Sequence, residues 1–119
     1  MKIIGPAIKH IPWQESQGTI PGAPIWRYSE NPIIGRNPVK GVARIFNSAV
    51  VPLDDDFIGV FRGEQVNGVP YIYLGRSADG IHWDIEQEKL QFMDENGELF
   101  MPVYAYDPRL VKVEDTYYV

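Results

Sequence analysis

Short runs of alternating apolar and polar residues begin near residue 46 and continue to residue 85. Tyr71 and Tyr73, for example, alternate with Ile72 and Leu74, as in a strand whose two faces differ. The predicted strands are residues 46–53, 57–62, 69–77 and 81–85. Residues that favour tight turns separate them, at positions 54–55, 67–68 and 78–80. The pattern predicts a four-stranded antiparallel meander of about 40 residues, the size of one propeller blade.

The pattern weakens after this meander and then returns. Residues 86–101 are polar and predict a loop, with a turn at Asn96 and Gly97. Residues 104–113 and 116–119 predict a hairpin that begins a second meander, and no segment shows helical periodicity. The predicted fold class is all-β, a partial β-propeller. Because residues 116–119 resemble the middle of a strand, we expect the chain to be the front part of a longer protein.

Proline and glycine dominate the first part of the chain, where they disfavour helices and central strands. We therefore divide the chain into an N-terminal arm, residues 1–45, and an incomplete propeller domain, residues 46–119. Three aromatic residues are predicted to anchor the arm on the core: Trp13, Trp26 and Tyr28. A second interpretation places three polar residues of the arm at the mouth of a site: Arg36, Asn37 and Arg44.

Composition excludes several classes of function. The net charge is −5 and no run of Lys or Arg occurs, which argues against nucleic-acid binding. Cysteine is absent, so disulfides and thiolate chemistry are excluded, and His10 and His82 are too isolated to predict a metal site. The chain has no apolar run long enough for a signal peptide or a membrane span, so we expect a cytoplasmic protein. Aromatic residues make up 13%, which favours a ligand with flat apolar faces, such as a sugar.

Asp107 is the leading candidate for chemistry, because its carboxyl group directly follows the apolar residues 104–106 in a strand-like run. Pro108 follows it, which predicts an extended backbone at Asp107 and a fixed direction for the carboxyl group. Alternation along a strand would place Arg109 on the same face as Asp107. Two interpretations remain open at this point: an acid aided by the flanking Tyr104 and Tyr106, or an Asp107–Arg109 ion pair that closes a turn.

Asn47 and Ser48 are a second polar pair in an apolar run. They either cap the entrance of a strand or form hydrogen bonds to sugar hydroxyls. If the turn at 54–55 is tight, Asn47 and Arg62 lie at the same end of a hairpin. Arg62 then either joins Asn47 in a pocket or pairs with Glu64 at the surface.

Five segments occur in an order that resembles glycoside hydrolase family 130, the β-mannoside phosphorylases. They are YSENPII (28–34), FNSAV (46–50), GVFR (59–62), GRSADGIHW (75–83) and YDPR (106–109). The resemblance covers nearly the whole chain from Trp26 onward. Members of this family are five-bladed β-propellers, which agrees with the predicted meander.

The resemblance implies roles for individual residues. Asp107 matches the general acid, and Asn47, Ser48 and Arg62 match positions that hold the mannosyl unit being transferred. Arg109 follows the family pattern as an orienting residue beside the acid, and we add Tyr106 as a substrate contact.

The resemblance also implies the reaction, which is inverting phosphorolysis of a β-1,4- or β-1,2-linked mannoside to α-mannose 1-phosphate. One carboxyl group suffices, because phosphate is already an anionic nucleophile and needs only positioning. In this family the proton passes through a mannose hydroxyl. Inorganic phosphate is a co-substrate, and no other cofactor is expected.

The expected partners are a β-mannoside and phosphate, with self-association left open. Family members hold phosphate mainly with later residues, so we expect this chain to be inactive by itself. Three alternatives stay open: a non-catalytic carbohydrate-binding or assembly module, a β-mannoside hydrolase of the same family, and an arabinan- or fructan-active five-bladed hydrolase. Linkage and acceptor preference depend on loops such as residues 86–101.

Overall fold

The computed structural model describes residues 11–12 and 27–119. Trp13 and Trp26, two of the predicted anchors of the arm, lie outside the described residues. The described residues form strands, turns and irregular segments, and no helix among them has the length and apolar character needed to cross a membrane. The strands are β1 (Val42–Leu53), β2 (Asp56–Gln65), β3 (Pro70–Ser77), β4 (Asp84–Lys89), β5 (Phe92–Met93), β6 (Leu99–Phe100), β7 (Val111–Val113) and β8 (Thr116–Tyr118).

The first four strands form one antiparallel sheet in the order β1-β2-β3-β4. This arrangement is the predicted meander, and the all-β class is confirmed for the described part of the chain. Strands β5 and β6 pair as a separate hairpin, and β7 and β8 pair as another. The hydroxyl of Tyr117 in β8 donates to the carbonyl of Pro52 in β1 over 3.4 Å, which ties the last hairpin to the first strand.

The predicted turns occur where turn residues permit a positive φ. Asp54 has φ 52° between β1 and β2, and Gly68 has φ 83° between β2 and β3. Gly97 has φ 80° between β5 and β6, and Glu114 has φ 54° between β7 and β8. Glycine adopts this left-handed region without a steric penalty, and aspartate tolerates it better than most residues.

One face of the meander carries the main apolar core. Val39, Val42, Phe61, Tyr73 and Ile85 are buried there, with Trp83 packed against them. The rings of Phe61 and Trp83 meet edge to face, with centroids 4.9 Å apart. Gln65 donates to the Tyr73 hydroxyl over 2.6 Å, while burial raises the pKa of Tyr73.

Glycine is required where aromatic rings lie directly on the sheet. A Cβ at Gly63 would lie 2.6 Å from the Tyr73 ring, and a Cβ at Gly59 would lie 2.6 Å from the Phe61 ring. Both distances are shorter than two non-bonded carbon atoms tolerate. The absence of side chains at these positions therefore lets the two rings cover the strands and seal the core.

The structure differs from the predicted elements at four main places. The predicted strand at 104–113 is reduced to β7, Val111–Val113, because residues 104–110 form an irregular segment whose Ala105 amide bonds to Pro70. Strand β1 begins at Val42, inside the predicted arm, because buried Val42 already packs in the core. Strand β4 is Asp84–Lys89 instead of residues 81–85, because the Asp79 carboxylate accepts hydrogen bonds from the amides of Ile81 and His82 and keeps both in the turn. The predicted loop at 86–101 therefore contains most of β4 and the whole β5–β6 hairpin.

Candidate active site

A bulge in β1 begins the site. Ile45 pairs with Gly63 and Ser48 pairs with Phe61, so two residues of β1, Phe46 and Asn47, stand opposite one residue of β2, Arg62. An extra residue of this kind bends a strand and redirects its side chains, and such bulges are common beside active sites. Asn47 and Arg62 thus lie at the same level of the hairpin, as the tight turn at 54–55 predicted.

Arg62 is held by two rings and two carboxylates. Its guanidinium carbon lies 5.0 Å from the centroid of the Phe46 ring and 5.7 Å from that of Tyr106, both within cation–π range. Its Nη1 donates to Asp107 Oδ1 over 3.0 Å, and its Nη2 lies 3.7 Å from Glu64 Oε2. Its Nε is buried and has no hydrogen-bond partner among the described residues. These contacts fix the plane and direction of the guanidinium group.

Asp107 reaches Arg62 from the irregular segment between β6 and β7. The amide of Ala105 donates to the carbonyl of Pro70 over 2.9 Å, which docks this segment at the start of β3. Asp107 has φ 51°, so the prediction of an extended backbone there is wrong. Aspartate is one of the few residues that tolerate this conformation, and non-glycine residues in it often occur at functional sites.

Arg109 does not form the ion pair with the Asp107 carboxylate that was one of the two interpretations of this segment. Residues 104–110 form no strand, so alternation does not apply to them. Arg109 Nη1 instead donates to the carbonyl oxygens of Asp107, at 3.3 Å, and Pro108, at 3.1 Å. Arg109 therefore braces the backbone that carries the carboxyl group, while Arg62 holds the carboxyl group itself.

A concavity of about 370 Å³ opens beside Arg62, the partner of Asp107 in the ion pair described above. Arg62, Tyr104 and Tyr106 line it together with Val69, Pro70 and neighbouring residues. The rings of Tyr104 and Tyr106 lie 5.6 Å apart. The Asp107 side chain is 39% exposed, and its Oδ1 contacts Arg62, which lines this space. The arrangement combines aromatic faces, a fixed cation and a carboxyl group, which suits a sugar ligand.

Ser48 lies on a different side of β1 from this concavity. Its hydroxyl donates to the carbonyl of Phe46 over 3.1 Å. It lines a second cavity of about 430 Å³ that is mainly apolar, together with Ile34, Phe57 and Trp83. The structure thus brings Arg62, Tyr106 and Asp107 together, places Asn47 across the bulge from Arg62, and directs Ser48 to another cavity.

Sequence reasoning offered the pairing of Arg62 with Glu64 as one interpretation, but it missed Phe46 and the pairing of Glu64 with Arg44. Phe46 was assigned only to an apolar strand, yet its ring lies against Arg62. Glu64 pairs with Arg44 over 3.1 Å as well as facing Arg62. The pair follows from the cross-strand register, which places Arg44 opposite Glu64. The register depends on bulges in β1, and their positions are not readable from residue pattern alone.

The chain is similar to known proteins along nearly its whole length. The family model of glycoside hydrolase family 130, described as beta-1,4-mannooligosaccharide phosphorylase, matches residues 8–119. The chain therefore belongs to glycoside hydrolase family 130.

One curated protein with a similar sequence is the Beta-1,4-mannooligosaccharide phosphorylase of Ruminococcus albus. It is 38% identical to this chain over 123 aligned positions, which cover 98% of this chain and 36% of that protein. This chain thus spans about a third of the length of that curated relative.

Proposed function

We propose that the protein carrying this chain is a β-mannoside phosphorylase with Asp107 as its general acid. The observation that carries the proposal is the contact of Asp107 with Arg62, which lines an aromatic-walled concavity, in a chain of this family. The name of the relative from Ruminococcus albus supports a β-1,4-linked mannooligosaccharide as the substrate.

The proposed reaction is an inverting displacement. A phosphate oxygen attacks the anomeric carbon from the face opposite the leaving group, and a new carbon–oxygen bond forms as the glycosidic bond breaks. The departing oxygen takes a proton supplied by Asp107, by way of a mannose hydroxyl. The products are α-mannose 1-phosphate and a shortened acceptor, so the mannosyl group is transferred to phosphate instead of water.

Each residue of the site receives a role in this proposal. Arg62 binds hydroxyls of the mannosyl unit, with Asn47 as its neighbour across the bulge, and Tyr106 offers a ring face to the sugar. Arg109 orients the backbone of Asp107. Ser48 takes part only if the strand around the bulge changes its direction when substrate binds, because its hydroxyl is engaged with Phe46 in this structure.

We also propose that the four-stranded meander is the first blade of a five-bladed propeller and that the β7–β8 hairpin begins the second. The strand order β1-β2-β3-β4 and the separate hairpin that follows support this proposal. Asp107 would then lie where the first blade meets the second, and the phosphate would be held by residues of later blades.

The reaction is tested by product analysis with the complete natural gene product. Incubation with β-1,4-mannobiose is run with and without inorganic phosphate, and the products are followed by ³¹P NMR and sugar analysis. We expect α-mannose 1-phosphate and one equivalent of mannose, formed only when phosphate is present. Release of two mannose molecules without phosphate would instead identify a hydrolase, and binding without turnover would identify a non-catalytic module.

A further inference from the structure

Four charged side chains of alternating sign form a row that ends at Asp107. Arg44 Nη2 lies 3.1 Å from Glu64 Oε1, and Arg62 Nη2 lies 3.7 Å from Glu64 Oε2. Arg62 Nη1 in turn lies 3.0 Å from Asp107 Oδ1. The two oxygens of Glu64 therefore face different guanidinium groups. The row connects exposed Arg44 to the carboxyl group proposed to be the acid.

Both guanidinium groups of this row share one aromatic ring. The guanidinium carbons of Arg44 and Arg62 lie 5.1 Å and 5.0 Å from the centroid of the Phe46 ring. Two cations beside the same ring repel each other unless an anion offsets them. Glu64 supplies that anion, and only 17% of its side chain is exposed, so solvent screens it less than an ordinary surface carboxylate.

We propose that Glu64 is a positioning residue that fixes the guanidinium plane of Arg62, and that Arg44 holds Glu64 in turn. The proposal deepens the function proposed above, because it matters for turnover only if Arg62 binds the substrate. Glu64 acts through Arg62: it holds Nη2 while Nη1 points to Asp107. Without the negative charge of Glu64, Arg62 loses one of its two anionic contacts and is repelled by Arg44.

The test uses Glu64→Gln in the complete natural gene product, with Glu86→Gln as a matched control. Glu86 is an exposed carboxylate on β4, outside this row. We expect Glu64→Gln to raise the KM for the mannoside about 5- to 20-fold and to change kcat less than about 2-fold, because sugar-hydroxyl contacts act in the ground state and the transition state alike. Glu86→Gln is expected to leave both constants unchanged.

A second measurement reports on Arg62 itself and does not depend on activity. Phenylglyoxal modifies accessible guanidinium groups, and peptide mass spectrometry gives the rate at each arginine. The Arg62 side chain is 25% exposed in the row, so we expect slow modification in the natural protein and faster modification in Glu64→Gln. Arg36, which is exposed, serves as the internal reference, because its modification rate corrects for reagent concentration and reaction time.

The two measurements separate failure of the inference from failure of the proposed function. An unchanged modification rate of Arg62 in Glu64→Gln overturns the positioning role, whatever the kinetics show. Faster modification with unchanged KM and kcat supports positioning and overturns substrate binding by Arg62.

If Glu64→Gln does not fold, Arg44→Gln provides the second variant, because Arg44 is 55% exposed. It is expected to shift KM and Arg62 modification in the same direction by a smaller factor, with Arg76→Gln as its control, and no shift in either would overturn the proposal.

Discussion

Arg62 is placed by contacts from both near and distant parts of the sequence. Phe46 lies on the neighbouring strand, Glu64 is two residues away on the same strand, and Asp107 is 45 residues further along. A partly buried guanidinium group with carboxylate partners forms charge-assisted hydrogen bonds that are stronger than exposed pairs. Its planar shape matters as much as its charge, because it must meet rings and carboxylates in one geometry.

Arg62→Lys keeps the charge of this side chain but removes the planar fork. We expect kcat/KM for mannobiose phosphorolysis to fall about 10- to 100-fold, the equivalent of one or two charge-assisted hydrogen bonds. Steady-state kinetics of the complete gene product measure this change. Arg76→Lys, at an exposed position of β3, is the control, and an equal loss in both variants would show a general effect on folding instead of a role for Arg62.

Residue pattern predicted part of this site. It singled out Asp107, Asn47 and Arg62 as polar residues in apolar runs, and it predicted that the last two share one end of a hairpin. One of its two interpretations of Asp107 paired the carboxylate with Arg109, and that pairing is wrong. It assumed a strand at 104–113, whereas docking of Ala105 on Pro70 brings Asp107 to Arg62. Such long-range docking depends on tertiary contacts that local pattern does not encode.

At the scale of elements, the turn between β3 and β4 is organised by one carboxylate. Asp79 Oδ1 accepts hydrogen bonds from the amides of Ile81 and His82, each at 2.8 Å. Its Oδ2 lies 2.7 Å from His82 Nδ1, and Ser77 donates its hydroxyl to Oδ1 over 3.1 Å. The hydrogen bond with the His82 side chain is the largest cause of a pKa of Asp79 well below its usual range, and the backbone amides add to it.

This turn predicts a dependence of stability on pH. A carboxyl group whose pKa is lowered by folding stabilises the fold above its ordinary pKa of 3.8, and that stabilisation is lost as the pH falls through the lower folded value. We therefore expect Asp79→Asn to be less stable than the natural chain at about pH 5, with a difference that shrinks below pH 3.8. Urea denaturation at several pH values measures the difference. Glu95→Gln, in the β5–β6 turn, is the control, and a difference that stays constant down to the lowest pH would contradict this account.

The contact between Gly63 and Tyr73 predicts a cost for a single added carbon atom. A Cβ at Gly63 would meet the Tyr73 ring at 2.6 Å and a Val42 methyl group at 3.2 Å. We expect Gly63→Ala to lower the free energy of unfolding by about 1–3 kcal/mol, the usual cost of overpacking a core. Gly35→Ala is the matched control, because no described atom lies within 4 Å of that position. Thermal denaturation measures both, and an equal effect would refute the packing argument.

Strand alternation and turn residues predicted the meander, because each strand buries one face and each turn carries residues that accept a positive φ. The boundaries were harder to predict. Val42 extends β1 into a proline-rich segment because it packs in the core, and the Asp79 turn delays β4. The β5–β6 hairpin was missed because Phe92–Met93 and Leu99–Phe100 are too short to produce an alternating pattern.

At the scale of the molecule, the later hairpins expose much apolar surface. Met93, Leu99 and Phe100 are each more than half exposed, as are Val111 and Tyr118. Patches of this kind usually contact another surface. In the proposed propeller, following blades pack there and complete the concavity beside Asp107.

The 119-residue chain by itself is therefore predicted not to catalyse phosphorolysis. The purified chain is assayed with mannobiose and phosphate, and the complete gene product serves as the positive control. We expect no α-mannose 1-phosphate from the chain. Clear turnover would show that the described concavity, without later blades, already holds both substrates.

Asp107 is proposed to supply the proton to the leaving oxygen, and a comparison of two substrates tests this role. One is mannobiose, whose leaving group needs a proton, and the other is β-mannosyl fluoride, whose leaving group does not. For Asp107→Asn in the complete gene product we predict a loss of about 10²- to 10⁴-fold with mannobiose and near-normal phosphorolysis of the fluoride. Asp115→Asn, in the β7–β8 turn, should be normal with both. Equal losses on both substrates, or normal activity of Asp107→Asn on mannobiose, would contradict the role assigned to this carboxyl group.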